Sequence, residues 1–131
     1  NTSKVSITTL DKEIDTEIEA SLFLKIDVEG FEMEVLKGAR ELLKSGKVSI
    51  IIIELNGSGE EFGYTDNDIH MLISSFGFKP ISYNPIKREV YEIKTPSEFG
   101  NTIYVKELDQ VINLCIEAEN VLIHSAFNKV I

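Results

Sequence analysis

The chain has 131 residues, 43% of them hydrophobic and 27% charged, the balance of one globular domain large enough to bury a core. Its 22 acidic and 13 basic residues leave a net charge of −9, which repels phosphate backbones and anionic bilayers, so neither nucleic acid nor a membrane surface is an expected partner. One cysteine, Cys115, excludes an internal disulfide and a thiolate metal site; no apolar run approaches the ~18 residues that cross a bilayer and no signal-peptide pattern opens the chain, so a cytoplasmic location is expected.

Residues 5–7 alternate and read as a short strand or an extended segment. Thr8 and Asp11 have capping-box spacing for a helical turn through Ile14. Residues 21–27 form the first core strand, apolar except for Lys25, which belongs at the sheet's rim or in an ion pair. Residues 30–44 read as a helix with Phe31, Val35, Ala39, Leu42 and Leu43 facing inward. Gly38 marks a kink or a close packing contact in it, and Gly46 stops it. Residues 48–55 are β-branched and apolar on both faces, as a central strand would be.

Residues 56–64 are a polar, glycine-bearing loop. Thr65 caps the next helix, with Asp68 completing a capping box, Ile69, Leu72, Ile73 and Phe76 as its buried stripe, and Gly77 closing it. A strand at 78–83, a turn at Asn84-Pro85, a short return strand at 89–93 and a final strand at 102–106 follow. Leu108, Val111, Ile112, Cys115, Ala118 and Leu122 recur at helical spacing, so 108–127 should be a C-terminal helix packed on the sheet, with Cys115 a buried, inert thiol. The two core strands each end in a carboxylate, with a helix between them. This is the pattern of a right-handed β-α-β unit with parallel strands, in which ligands gather at the carboxyl ends.

Several segments together carry a family likeness: Thr9-Leu10-Asp11, then Leu24-Lys25-Ile26-Asp27-Val28-Glu29-Gly30-Phe31-Glu32, Val35-Leu36-Lys37-Gly38-Ala39, Ile52-Ile53-Glu54 and the strand at Asn101–Val105. Over about residues 5–107 the chain resembles the FkbM family of S-adenosylmethionine-dependent methyltransferases. The resemblance implies an α/β fold, the C-terminal half of a Rossmann-like class I methyltransferase sheet, with parallel core strands, a final antiparallel strand and flanking helices. It also implies S-adenosylmethionine as cofactor and O-methylation of a small-molecule or glycan hydroxyl, on a sugar, polysaccharide or polyketide-like metabolite. A glycine-rich turn between an early strand and a helix should hold that cofactor. None occurs here: Gly57-Ser58-Gly59 comes after the second core strand and runs into Glu60-Glu61. Residues 1–131 are therefore expected to be a single truncated domain, inactive in isolation because the cofactor-binding half is missing.

Asp27, at the end of the first core strand, is the leading catalytic candidate, as a carboxylate placed to accept a hydroxyl proton. Its competing role is to cap the helix that follows. Glu54 is the second catalytic candidate, against an orienting ion pair with Lys25 or Lys37. Asp27, Val28 and Glu29 are expected to contact the cofactor; Glu29 would start the helix, and Gly30 would let the backbone approach a ligand. Asn56 and Tyr64 are the substrate-binding candidates, with Phe62 in the same loop. Asp27, Glu54 and Asn56 would suit Mg²⁺, although no metal is assigned. His70 and His124 read as structural or solvent-facing.

The alternative is a non-catalytic interaction module. It would self-associate as a homo-oligomer through the first core strand, an apolar sheet edge unless residues 1–20 cover it. A hydrolase is disfavoured because the chain has no G-x-S-x-G elbow.

Overall fold

The structure, a computed structural model, describes residues 2–15, 17–97 and 100–119. In chain order its elements are α1 (Leu10–Glu13), β1 (Leu22–Ile26), α2 (Glu32–Lys37), α3 (Arg40–Lys44), β2 (Val48–Glu54), a 3₁₀ turn at Ser58–Phe62, α4 (Asp66–Ser75), β3 (Lys79–Asn84), β4 (Glu89–Glu92), β5 (Asn101–Val105) and α5 (Leu108–Glu117). The β-branched run of β2 seeds one mixed five-stranded sheet in the order β1-β2-β5-β3-β4. β1 lies parallel to β2, and β5 is antiparallel to both β2 and β3, so β1, β2 and β3 share one direction. β4 returns antiparallel on β3 as the second edge. The expected α/β class, the parallel core pair and the antiparallel final strand are all present.

Strand alternation sorts the sheet's two faces. Ile26, Ile51, Ile53 and Tyr104 face α2, α3 and α4 and pack against Leu36, Leu42, Leu43, Ile69 and Ile73, all buried. The other face carries Phe23, Ile50, Ile52 and Ile103 toward α5, with Val111 and Cys115 of that helix beside them. No residue of α5 is fully buried, and Phe23 is 56% exposed. β2 is thus interior, as expected, yet sealed on one face only. Cys115 is half-buried rather than buried. The expected extension of α5 through 127, with Leu122 and His124, lies outside the described residues.

Of the two readings of residues 5–7, the strand does not form, and Val5 and Ile7 are highly exposed; two other local expectations are corrected. Thr8 and Asp11 do not form a capping box: the Thr8 hydroxyl donates to Glu13 at 2.8 Å, and Thr9 precedes α1 without a side-chain cap. Asp11 instead accepts from the amides of Glu41 (3.1 Å) and Leu42 (2.9 Å), capping the first turn of α3. That arrangement requires the break at Gly38, which divides the expected helix into α2 and α3. The Gly38 carbonyl accepts from Asp11 N–H at 2.9 Å, and a Cβ on Gly38 would lie 3.2 Å from Thr9. Gly38 is both a break and a close contact. α2 also starts later than expected, at Glu32, so Phe31 stands outside the helix at 49% exposure while Met33 and Leu36 fill the core.

The second capping box forms as expected. Thr65 Oγ1 accepts from Asp68 N–H at 3.2 Å, and the Asp68 carboxylate accepts from Thr65 N–H at 2.9 Å. The backbone bond from Thr65, followed by its hydroxyl, holds the Asp68 carboxyl below its usual range. His70 is structural: its Nδ1 lies 3.0 Å from the hydroxyl of buried Tyr104. Burial, and secondarily the Asp66 charge, push the Tyr104 phenol well above its ordinary value. Thr65→Ala should lower unfolding stability by about 1 kcal/mol in urea titrations. A depressed folded-state carboxyl stabilises above its unfolded value, so the cost of Asp68→Asn should be present at neutral pH and fade as pH falls through the acid range.

Candidate active site

The site begins with the register of β1 against β2. Leu24 pairs with Ile51 and Ile26 with Ile53, so the next residue of each chain is a carboxylate, Asp27 beside Glu54. Across β2, Glu54 is paired with Asn101 at the start of β5. Two acids and an amide therefore stand side by side at the carboxyl end of the parallel pair.

Lys25 and Asp27 are two apart on one strand and point to the same side, which lets Lys25 Nζ donate to Asp27 Oδ2 at 2.5 Å. This exposed pair adds little stability but fixes where the carboxylate sits. Asp27 does not cap the next helix, because the position before α2 is Phe31 and receives no side-chain bond. The alternative for Glu54 fails too. Lys25 is taken by Asp27 and Lys37 by Glu34 at 2.8 Å, leaving Glu54 half-buried with no ion pair or side-chain hydrogen bond among the described residues.

Val28 and Glu29 lead into a tight turn rather than a helix, and α2 starts only at Glu32. Glu29 (φ 49°) and Gly30 (φ 102°) are both left-handed. The Gly30 amide donates to Glu32 Oε1 at 3.2 Å. Gly30 was expected to admit a ligand, but that space is filled from within. A Cβ there would lie 2.8 Å from the Ser58 carbonyl oxygen and 2.8 Å from the Phe62 ring. Phe62 also meets Phe31 edge to face, with centroids 4.5 Å apart. Gly30→Ala should therefore cost roughly 3 kcal/mol, from strain plus overlap. Gly46→Ala, with positive φ but open space around it, should cost only about 1 kcal/mol in the same urea titration.

The loop after β2 is built, not slack. The Asn56 side-chain oxygen accepts from Ser58 N–H at 3.0 Å, and Gly57 N–H donates to the Asp66 carboxylate at 3.1 Å. Tyr64 N–H donates to the Gly59 carbonyl, and Lys37 Nζ bonds the Tyr64 hydroxyl and sits 4.2 Å from its ring centroid. Lys37 holds the Glu34 carboxyl below its usual range, and Glu34 with Tyr64 raises the Lys37 ammonium. The Asn56 side-chain oxygen is thus engaged within its own loop, and the Tyr64 hydroxyl is held by Lys37 of α2. No group of three His, Cys, Asp or Glu side chains able to hold a metal occurs among the described residues.

A cleft of about 350 Å³ runs along the unpaired side of β1, floored by Leu24, Ile26 and Val28 and walled by Thr9, Val35 and Gly38. The sequence analysis gave no role to Glu32, which is 3% exposed and the one buried acid among the described residues.

Residues 1–80 match the model of the methyltransferase FkbM domain, and the chain belongs to that family. The match spans 80 of 131 residues and includes β1, β2, both acids and the Ser58–Phe62 turn. It ends at Pro80, short of Asn101–Val105, which the resemblance had included. Comparison with curated proteins and with solved structures finds no match.

Proposed function

We propose that this chain forms the C-terminal half of a Rossmann-like, S-adenosylmethionine-dependent O-methyltransferase domain that acts on a sugar or polyketide-like hydroxyl. The observation that carries the reading is the alignment of Asp27 and Glu54 at the carboxyl ends of adjacent parallel strands, where ligands of such sheets bind. The three co-directional strands and the inserted antiparallel β5 support the fold assignment. The unpaired side of β1, with its cleft, supports a sheet that continues beyond it. No glycine-rich cofactor turn occurs within the 131 residues, which supports a cofactor site shared with a further segment.

The residues present suit one side of that cofactor. Free carboxylate oxygens at Asp27 and Glu54 complement a cationic centre and ribose hydroxyls, and Val28 offers an apolar neighbour. When bound, the cofactor supplies an electrophilic methyl group on sulfonium. Asp27 then orients the acceptor hydroxyl and takes its proton, with Lys25 fixing the carboxylate's position. Glu54, without a counter-charge among the described residues, adds negative potential beside it. Glu29 lies at the rim of the same site. Asn56, through its amide nitrogen, and Tyr64 contribute to substrate selection from the loop after β2. The acidic surface favours neutral, hydroxyl-rich acceptors over nucleic acid or membranes, in a cytoplasmic setting. No helix among the described residues is long and apolar enough to cross a membrane.

A second reading, a module that self-associates through β1, is favoured by one observation: Phe23 on this edge strand is more than half exposed. Calorimetric titration with S-adenosylhomocysteine separates the two. The chain alone should not bind, the intact domain expressed from its full reading frame should bind, and Asp27→Ala should weaken that binding tenfold or more, on the order of what misplacing one contact costs. Full-affinity binding by the chain alone contradicts the half-domain reading. Unchanged affinity in Asp27→Ala removes Asp27 from the site.

A further inference from the structure

Glu32 is an acid in an apolar setting, 3% exposed between Met33, which is buried, and the half-exposed Phe31. Burying a carboxylate is costly unless it is paired. No cation pairs with Glu32 among the described residues; the donor it has is the neutral Gly30 amide at 3.2 Å. That bond ties the end of a turn to the helix: Phe31 N–H donates to the Val28 carbonyl at 3.4 Å, and the two residues enclosed, Glu29 and Gly30, are both left-handed. A non-glycine residue such as Glu29 holds that conformation only where its surroundings impose it. The Ser58 carbonyl and the Phe62 ring press on Gly30 from the loop side, and Glu32 grips its amide from the helix side. Between them they fix the direction in which the backbone leaves Asp27.

We propose that Glu32 is a positioning residue. Its carboxylate, held on the Gly30 amide, anchors the helix-side end of the backbone-closed turn over residues 28–31 and so sets the aim of Asp27, Val28 and Glu29 at the cofactor. This rests on the functional reading above. A contact that served packing alone would make stability and binding fall together when removed. A positioning contact predicts that they separate.

Glu32→Met keeps the side-chain length, removes the acceptor and places an apolar group in an apolar setting. It should leave the melting temperature of the intact domain unchanged or raised, yet weaken S-adenosylhomocysteine binding by roughly tenfold or more, as loosening a site's supporting contacts does. Glu32→Gln retains a carbonyl acceptor for Gly30 and should restore affinity. Affinity unchanged in Glu32→Met, or lost equally in Glu32→Gln, overturns the proposal. Amide hydrogen exchange of Gly30 in the present chain gives a second arm that needs no cofactor. Gly30 should be protected in the parent and in Glu32→Gln and unprotected in Glu32→Met; an unprotected Gly30 in the parent overturns the proposal even if Glu32→Met fails to fold. If the intact domain binds no S-adenosylhomocysteine at all, the methyltransferase reading fails on its own, while the exchange arm still decides the Glu32 contact.

Discussion

The parallel pairing of β1 with β2 is the constraint on which the site depends. Side chains alternate along a strand, so a slip of one residue would turn Lys25 and Asp27 into the core and expose Leu24 and Ile26. Burial of Ile26, Ile51 and Ile53 beneath α2 and α3 forbids that slip. The same burial that stabilises the sheet therefore sets two carboxylates side by side at its edge. Asp27 and Glu54 owe their proximity to the core under them, not to any attraction between the acids themselves.

What surrounds that pair is equally determined. The helix after β1 cannot run unbroken, because Asp11 and Thr9 occupy the place where it divides, and Gly38 is the residue that permits the approach. The loop after β2 folds back on Gly30 through Ser58 and Phe62 and is pinned by Asp66 at Gly57. Three segments distant in sequence thus close around the end of β1. The turn at Glu29 and Gly30 lies between them under conformational strain, a circumstance that recurs where backbones present functional groups.

Periodicity exposed the strands, the parallel unit and the Thr65 cap, because each is a local pattern with one dominant physical cause. Asp27 and Glu54 were legible as strand-terminal acids on a β-α-β unit. Asp11 was misread, since its spacing from Thr8 satisfies a local rule while its real partners lie 30 and 31 residues away on α3. Phe31 was misread because the left-handed turn at Glu29 and Gly30 delays the helix to Glu32, which periodicity does not reveal. That Lys37, 27 residues away, holds the Tyr64 hydroxyl could not be read from the sequence, because only tertiary contact brings them together. Glu32 was overlooked because nothing local announces that a helical acid will be buried.

The most direct test of the central claim is a double-mutant cycle on Asp27 and Glu54, measuring S-adenosylhomocysteine affinity in the intact domain. If the two carboxylates act on one ligand, Asp27→Asn and Glu54→Gln will be non-additive, with a coupling of about 0.5 kcal/mol or more. Additive effects, or no effect of Glu54→Gln, would mean that the strand ends are neighbours without forming a common site.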